Sequence, residues 1–200
     1  MKRLKIFLIL FLIVSSLYAQ TSDLTQDQVD DFQKEASEQI ERLQRNLEIL
    51  GDKNRSNRVK QHTHQETLKL FIEEGKSYRD IHGNVQPPVY MQVSNVRTGA
   101  ITNRTIDEYL RRLRNLNYAK VEITKAETHR ITNLRRVGNE YHAVATIFQR
   151  FIAYDGDGRM TYRDHTIKNI QIIVRIEVDA WGEKWVVLLG NIDVAETLPL

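Results

Sequence analysis

"IKNIQIIVRIEVDAWGEKWVVLLGNIDV", residues 167–194, decides how the rest of the chain is read. Ile170, Ile172, Val174, Ile176 and Val178 fall on alternate positions, with Gln171, Arg175, Glu177 and Asp179 on the opposite side. A period of two carried by β-branched residues predicts a strand with one apolar face. Trp181-Gly182-Glu183-Lys184 reads as a turn, and residues 185–194 as the returning strand of a hairpin.

The same logic extends upstream. "YAKVEITKAETHRIT" (118–132) alternates, with Val121 and Ile123 on one side and Glu122 and Thr124 on the other. "YHAVATIFQRFIAY" (141–154) follows the Val137-Gly138-Asn139 turn. Tyr141, Val144, Ala145, Phe148 and Phe151 also fit helical spacing, but a strand as long as 167–181 needs an antiparallel neighbour, which favours a strand here. The chain thus ends in four long strands joined by glycine-containing turns.

Helices dominate the first half. Thr25-Gln26-Asp27-Gln28 is a capping-box pattern, with Asp27, Asp30 and Asp31 near the positive end of the helix dipole. Val29, Phe32, Ala36, Ile40, Leu43, Leu47 and Leu50 then form one apolar stripe that Gly51 stops. Such a stripe either lies across its own domain or forms a coiled-coil seam. A second helix is expected from Ser56 to Glu74, with Val59, Leu68, Phe71 and Ile72 as its apolar side. After the breakers His82-Gly83-Asn84 and Pro87-Pro88, "VYMQVSNV" (89–96) reads as a shorter strand. "TIDEYLRRLRNL" (105–116) is a short amphipathic helix, capped by Thr105 and facing Ile106, Leu110 and Leu113 inward. Helices first and strands last predict an α+β fold: N-terminal helices packed on a curved antiparallel sheet of about four long strands plus the shorter segment.

"AYDGDGRMTYRD" (153–164) invites a calcium reading. Asp155, Asp157 and Asp164 fall at positions three, five and twelve of a calcium loop, with Gly158 at six. Position one, however, is Ala153, position twelve is an aspartate where glutamate is usual, and the flanks are strand-like. A hairpin turn is the preferred reading, with calcium on Asp155, Asp157 and Asp164 as the alternative.

Other constellations are sparse. His62 and His64 lie about 200° apart on a helix, so they cannot share an ion. His62 and Glu66 share a face but lack a third ligand. Glu177 and Asp179 share a strand face with Arg175 and read as solvated charge. Trp181 and Trp185 are placed to staple the last turn. No glycine-rich phosphate loop, nucleophile elbow or metalloprotease helix occurs, and no cofactor is expected.

The chain opens with MKRLK, the apolar run IFLILFLIV and SSLYAQ, the layout of a secretory signal over residues 1–19. Nine apolar residues rise only about 14 Å as a helix, too short for a stable membrane anchor. Removing that segment takes away Lys2, Arg3 and Lys5, so the 29 basic residues become 26 against 26 acidic ones. The remaining chain is formally neutral, which disfavours a nucleic-acid partner. Residues 97–150 still hold 11 basic and 5 acidic residues, read as solvated charge on exposed faces, with a basic face toward an anionic partner as the alternative. Cysteine is absent, which excludes disulfides, thiolate chemistry and a lipoprotein attachment.

The order reached is a long helix over 20–54 and an α+β domain over 55–200 that the helix either joins or extends. This order, carried by "TIDEYLRRLRNL", the strands from 118 and "GEKWVVLLGNIDV", resembles the nuclear transport factor 2-like superfamily over residues 25–197. In that cystatin-like cone a curved sheet wraps its helices. The resemblance implies either a cavity enzyme with a polar dyad, or a non-catalytic binding, dimerising or assembly module. Tyr109, His129 and His142 are the polar residues placed to reach such a cavity. The expected protein is an exported, periplasmic, non-enzymatic module that binds a small apolar ligand or a protein partner, or forms a homodimer through its sheet. The alternative is an isomerase- or dehydratase-like enzyme using acid–base chemistry.

Overall fold

The computed structural model describes residues 24–124 and 128–198, with only the backbone at 128 and 129. The signal segment expected over 1–19 and the His129 side chain lie outside the described residues. No helix among the described residues is long and apolar enough to cross a membrane.

Helix α1 (Gln26–Gly51) starts at a complete capping box. The Thr25 hydroxyl accepts from the Gln28 N–H at 3.3 Å, and the Gln28 side chain accepts from the Thr25 N–H at 2.9 Å. Its stripe of Phe32, Ala36, Ile40, Leu43, Leu47 and Leu50 is buried within the main core, so α1 packs on its own sheet. Each of the fully buried leucines and isoleucines contributes about 1.5–3 kcal/mol of transfer free energy.

Helix α2 (Asn57–Leu68) is capped by Ser56 and ends earlier than its expected stop at Glu74. It turns Lys60, Thr63, His64 and Thr67 inward; of the expected apolar side Val59 is exposed, whereas Leu68 packs against the core. Phe71 and Ile72 are buried by leaving the helix. The Leu70 carbonyl accepts from the Leu189 N–H at 2.8 Å, and Phe71 bridges Leu189 in parallel fashion. That sheet contact outweighs continued helix. A short 3₁₀ turn, Ile72–Gly75, then redirects the chain through left-handed backbone at Glu73, Glu74 and Gly75, with φ of 46°, 53° and 76°.

The remaining elements are β1 (Tyr78–Arg79), β2 (Val85–Gln86), β3 (Tyr90–Ser94), β4 (Ile101–Thr105), α3 (Ile106–Arg114), β5 (Lys120–Thr124), β6 (Thr128–Ile131), β7 (Arg135–Val137), β8 (Glu140–Tyr154), β9 (Met160–Asp179) and β10 (Gly182–Leu198). β1 and β2 pair on their own, and the other strands form an eight-stranded sheet in the order β4-β3-β10-β9-β8-β5, with β6 and β7 also pairing along β8. The fold is α+β, as expected. The run expected as one strand over 118–132 is divided between β5 and β6, which pair with different parts of β8. The sheet is mixed because β3 joins β10 in parallel.

A bulge at Gly190-Asn191 shapes β10. Leu189 pairs with Ile172, but the next pair is Ile192 with Ile170, which reverses the alternation so that Val187, Leu189 and Ile192 are all buried. The Asn191 side chain also accepts from the Tyr90 N–H at 3.1 Å, fastening β3 to the bulged strand.

Gly75 is pinned in place. Its carbonyl accepts from the Val89 N–H, whose own carbonyl accepts from the Ile106 N–H. A Cβ on Gly75 would lie 2.3 Å from Ile106 Cγ2, whereas one on Gly99, also at positive φ, would meet nothing within 4 Å. Gly99→Ala is expected to lose about 1–2 kcal/mol from backbone strain alone. Gly75→Ala should lose about 1–3 kcal/mol more from overpacking. Urea unfolding of both variants checks this, and equal losses would show that the Ile106 contact carries no weight.

Candidate functional site

Even-numbered residues of β9 face the helices. From Ile170 to Val174 they are apolar and buried, but toward the start of the strand the same face presents Lys168, Thr166, Asp164 and Tyr162. Gln149 of β8 lies across from Thr166. These side chains floor a cleft of about 930 Å³ whose other wall is α3.

Helix α3 is fixed at both ends. The Thr105 hydroxyl accepts from the Glu108 N–H at 3.2 Å, and the Lys53 ammonium donates to the Arg114 and Leu116 carbonyls, where the helix dipole is negative. Ile106, Leu110 and Leu113 are buried, and Leu113 and Tyr109 both line the cleft. On the rim, Glu108 Oε1 accepts from Arg104 Nη1 at 2.9 Å and Arg112 Nε at 2.8 Å. The Arg112 hydrogen bond, then that of Arg104, holds the Glu108 carboxyl below its usual range.

The floor is an ionisable group held out of water. Tyr162 donates its phenol proton to Asp164 Oδ2 at 2.6 Å, and Thr166 Oγ1 donates to Oδ1 at a long 3.5 Å. Asp164 is only 7 % exposed, and burial raises its pKa against the opposing pull of the Tyr162 hydrogen bond and the Lys168 charge. Burial, then the bond to Asp164, pushes the Tyr162 phenol up to about 12. Burial also raises Tyr109, with Asp164 adding to the effect. Lys168 is 6 % exposed, and burial pushes its ammonium down to about 8 although Asp164 favours the charged form. The arrangement can bind polar groups and can give up a proton at Lys168 well below the usual lysine range.

The residues singled out from the sequence are dispersed. Tyr109 lines the cleft. His142 is not part of the cleft wall; its Nε2 meets Glu140 Oε2 at 2.9 Å beside β7. His64 is buried, its Nε2 2.8 Å from Asp107 Oδ1, while His62 is exposed and Glu66 pairs with Lys69. Of the calcium triplet, Asp155 accepts from the N–H groups of Asp157 and Arg159, Asp157 pairs with Arg159, and Asp164 belongs to the cleft. Among the described residues no three histidine, aspartate or glutamate side chains converge as metal ligands. Glu177 binds Arg175, and Asp179 binds Lys184. The tryptophans do not form a staple: Trp181 is 96 % exposed, whereas Trp185 packs on Phe32 and Tyr141 with ring centroids 5.7 and 5.8 Å away.

Lys168, Thr166, Tyr162 and Gln149 are site residues that the sequence motifs do not single out. The signal is nonetheless present, since continuing the alternation of Ile172 and Ile170 toward the N-terminus leads straight to Lys168, Thr166, Asp164 and Tyr162. Comparison with family models, with curated proteins and with solved structures yields no match.

The buried lysine makes a stability prediction. Its folded pKa lies below the unfolded value near 10.5, so the unfolded chain holds its proton more tightly between pH 8 and 10.5. The folded state is therefore penalised below pH 8, and stability recovers as pH rises to 10.5. Lys168→Met is expected to stabilise the protein by up to about 3 kcal/mol at pH 7. Urea unfolding at pH 7 and pH 10 should show the gain shrinking at the higher pH. A loss of stability at pH 7 would mean that the ammonium is well solvated in the folded protein.

Proposed function

We propose that this chain is an exported, non-enzymatic binding module that holds a small molecule in the cleft between α3 and β9, within a cone like that of nuclear transport factor 2-like modules. The carrying observation is the cleft itself. About 930 Å³ suits a small organic ligand, and a few buried polar side chains at one end provide orientation. Leu113, Leu116, Phe151 and Tyr118 supply apolar wall above that floor. This pattern favours an amphipathic ligand over a wholly apolar one, because an apolar ligand would strip water from Lys168 and Asp164 and return nothing.

A second reading has one observation in its favour. Asp164 and Tyr162 are in hydrogen-bond contact at 2.6 Å beside the cleft, a carboxylate and a phenol of raised pKa that could act as base and acid on a bound substrate.

A fragment library of neutral, anionic and cationic members, screened by protein-observed NMR on the chain from Gln20 onward, tests both. Binding is expected to move the amide signals of residues 162–168 and of α3. No binding, or shifts confined to the opposite sheet face around Val144 and Phe148, would reject the cleft and favour a protein partner. Conversion of a bound fragment that stops in Asp164→Asn would replace the binding reading with the enzymatic one.

A further inference from the structure

We infer that the ligand of this cleft carries an anionic group, a carboxylate in the simplest case, that docks on the ammonium of Lys168. The inference rests on the small-molecule reading above and names the chemistry of its polar end.

A buried ammonium has three N–H donors and normally satisfies them with oxygen acceptors. Lys168 does not. Among the described residues its hydrogen-bond acceptor is the Met91 thioether, with Sδ 3.7 Å from Nζ, a weak partner for a full charge. The Tyr109 ring adds a cation–π contact, its centroid 5.8 Å from Nζ. Asp164, on the same face four residues earlier, accepts from Tyr162 and Thr166 and acts on Lys168 through space without forming an ion pair. The protein therefore presents a desolvated cation to the cleft and leaves its strongest donors for something else. An anionic oxygen is the group such a donor binds most strongly.

The surroundings select the same sign. The cleft wall contains four cations, Arg104, Arg111, Arg112 and Lys168, and two carboxylates, Glu108 and Asp164, a balance of +2. Glu108 is shared by Arg104 and Arg112 and Arg111 is paired with Asp107 at 3.0 Å, so three guanidinium groups against two carboxylates leave the rim one positive charge. Gln149 and Thr166, both buried beside Lys168, make only long contacts of 3.4 and 3.5 Å and offer neutral donors to a second oxygen. The aromatic and aliphatic wall fits an apolar body behind the anionic head.

The groups facing Lys168 define the pH response. Asp164 and Tyr162 come from β9, Tyr109, Glu108, Arg111 and Arg112 from α3, Tyr118 from the segment after it, and Arg104 from β4, while β3 and β8 contribute the uncharged Met91 and Gln149. Burial holds Tyr109 and Tyr162 above the usual phenol range and a guanidinium is not deprotonated in proteins, so the cleft group placed to lose its charge between pH 7 and 10 is Lys168. At the acid end, protonation of Asp164 removes a competing negative charge. Affinity for an anion should therefore fall with pH throughout.

The test compares 2-naphthoate with its neutral counterpart 2-naphthamide by titration calorimetry on the chain from Gln20 onward. At pH 7 naphthoate is expected to bind at least about tenfold more tightly, a preference that one charge-assisted hydrogen bond supplies. Lys168→Met should abolish the preference while naphthamide still binds, and Lys168→Arg should keep most of it. In the wild type the preference should fade above pH 8, by roughly tenfold per unit while the proton is being lost. Equal binding of both probes, or a preference that survives in Lys168→Met, overturns the anionic ligand but leaves the cleft as a binding site. Failure of both probes to bind overturns the two readings together. Should Lys168→Met not fold, the wild-type profile decides alone, and a preference unchanged from pH 7 to 10 overturns the inference.

Discussion

A strand of 20 residues reaches about 66 Å and a helix of 26 residues about 39 Å, so α1 cannot cover β9 from end to end. Much of the molecule follows from that mismatch. Where α1 lies on the sheet, its stripe from Phe32 to Leu50 shares one core with Ile170, Ile172, Val174, Val187 and Leu189. Beyond that cover, the two ends of β9 have different fates. At the C-terminal end Ile176 and Val178 run out into solvent, with Val178 76 % exposed. At the N-terminal end a second, shorter helix takes over, and α3 stands off the sheet far enough to leave a cleft.

The chemistry of the cleft follows from the same geometry. Filling the inner face from Tyr162 to Lys168 with aliphatic side chains would close the core and add stability. The chain instead places there an aspartate and a lysine, each less than a tenth exposed, without pairing them directly. Buried charge of this kind is a liability for folding. Its retention on the floor of an accessible cavity makes sense as recognition, because a ligand able to meet those charges recovers solvation that the protein alone lacks. The support around it is rigid where rigidity matters. Thr105 and Lys53 hold the two ends of α3, and Tyr162 fixes the carboxylate of Asp164.

Several elements are legible in the sequence because their cause is local. The Thr25 capping box and the Asp155 turn rest on contacts within a few residues of chain, and the α1 stripe and the face of Ile106, Leu110 and Leu113 on helical spacing. The end of α2 is not legible in this way. Nothing near Leu68 stops a helix; Leu189, more than a hundred residues away, binds the Leu70 carbonyl and pairs with Phe71, whose backbone is extended. The left-handed passage through Glu73 and Glu74 follows from that path and from Ile106 packing against Gly75. The fate of the tryptophans is equally distant in origin, since Phe32 of α1 reaches Trp185 while Trp181 stays in solvent.

Neighbouring residues were enough to set the period of each segment and hence the α+β class, because hydrophobic alternation and helix capping act over a few positions. They also spelled out the polar continuation of the β9 face, though not what that face would meet. It took the packed layers to make Lys168, Thr166 and Asp164 the floor of a cleft under Tyr109 while His142 stays outside it. Burial belongs to the assembly of layers and not to any one of them. A lysine on a strand is ordinary until a helix far earlier in the chain, held by its own caps, takes the water away from it.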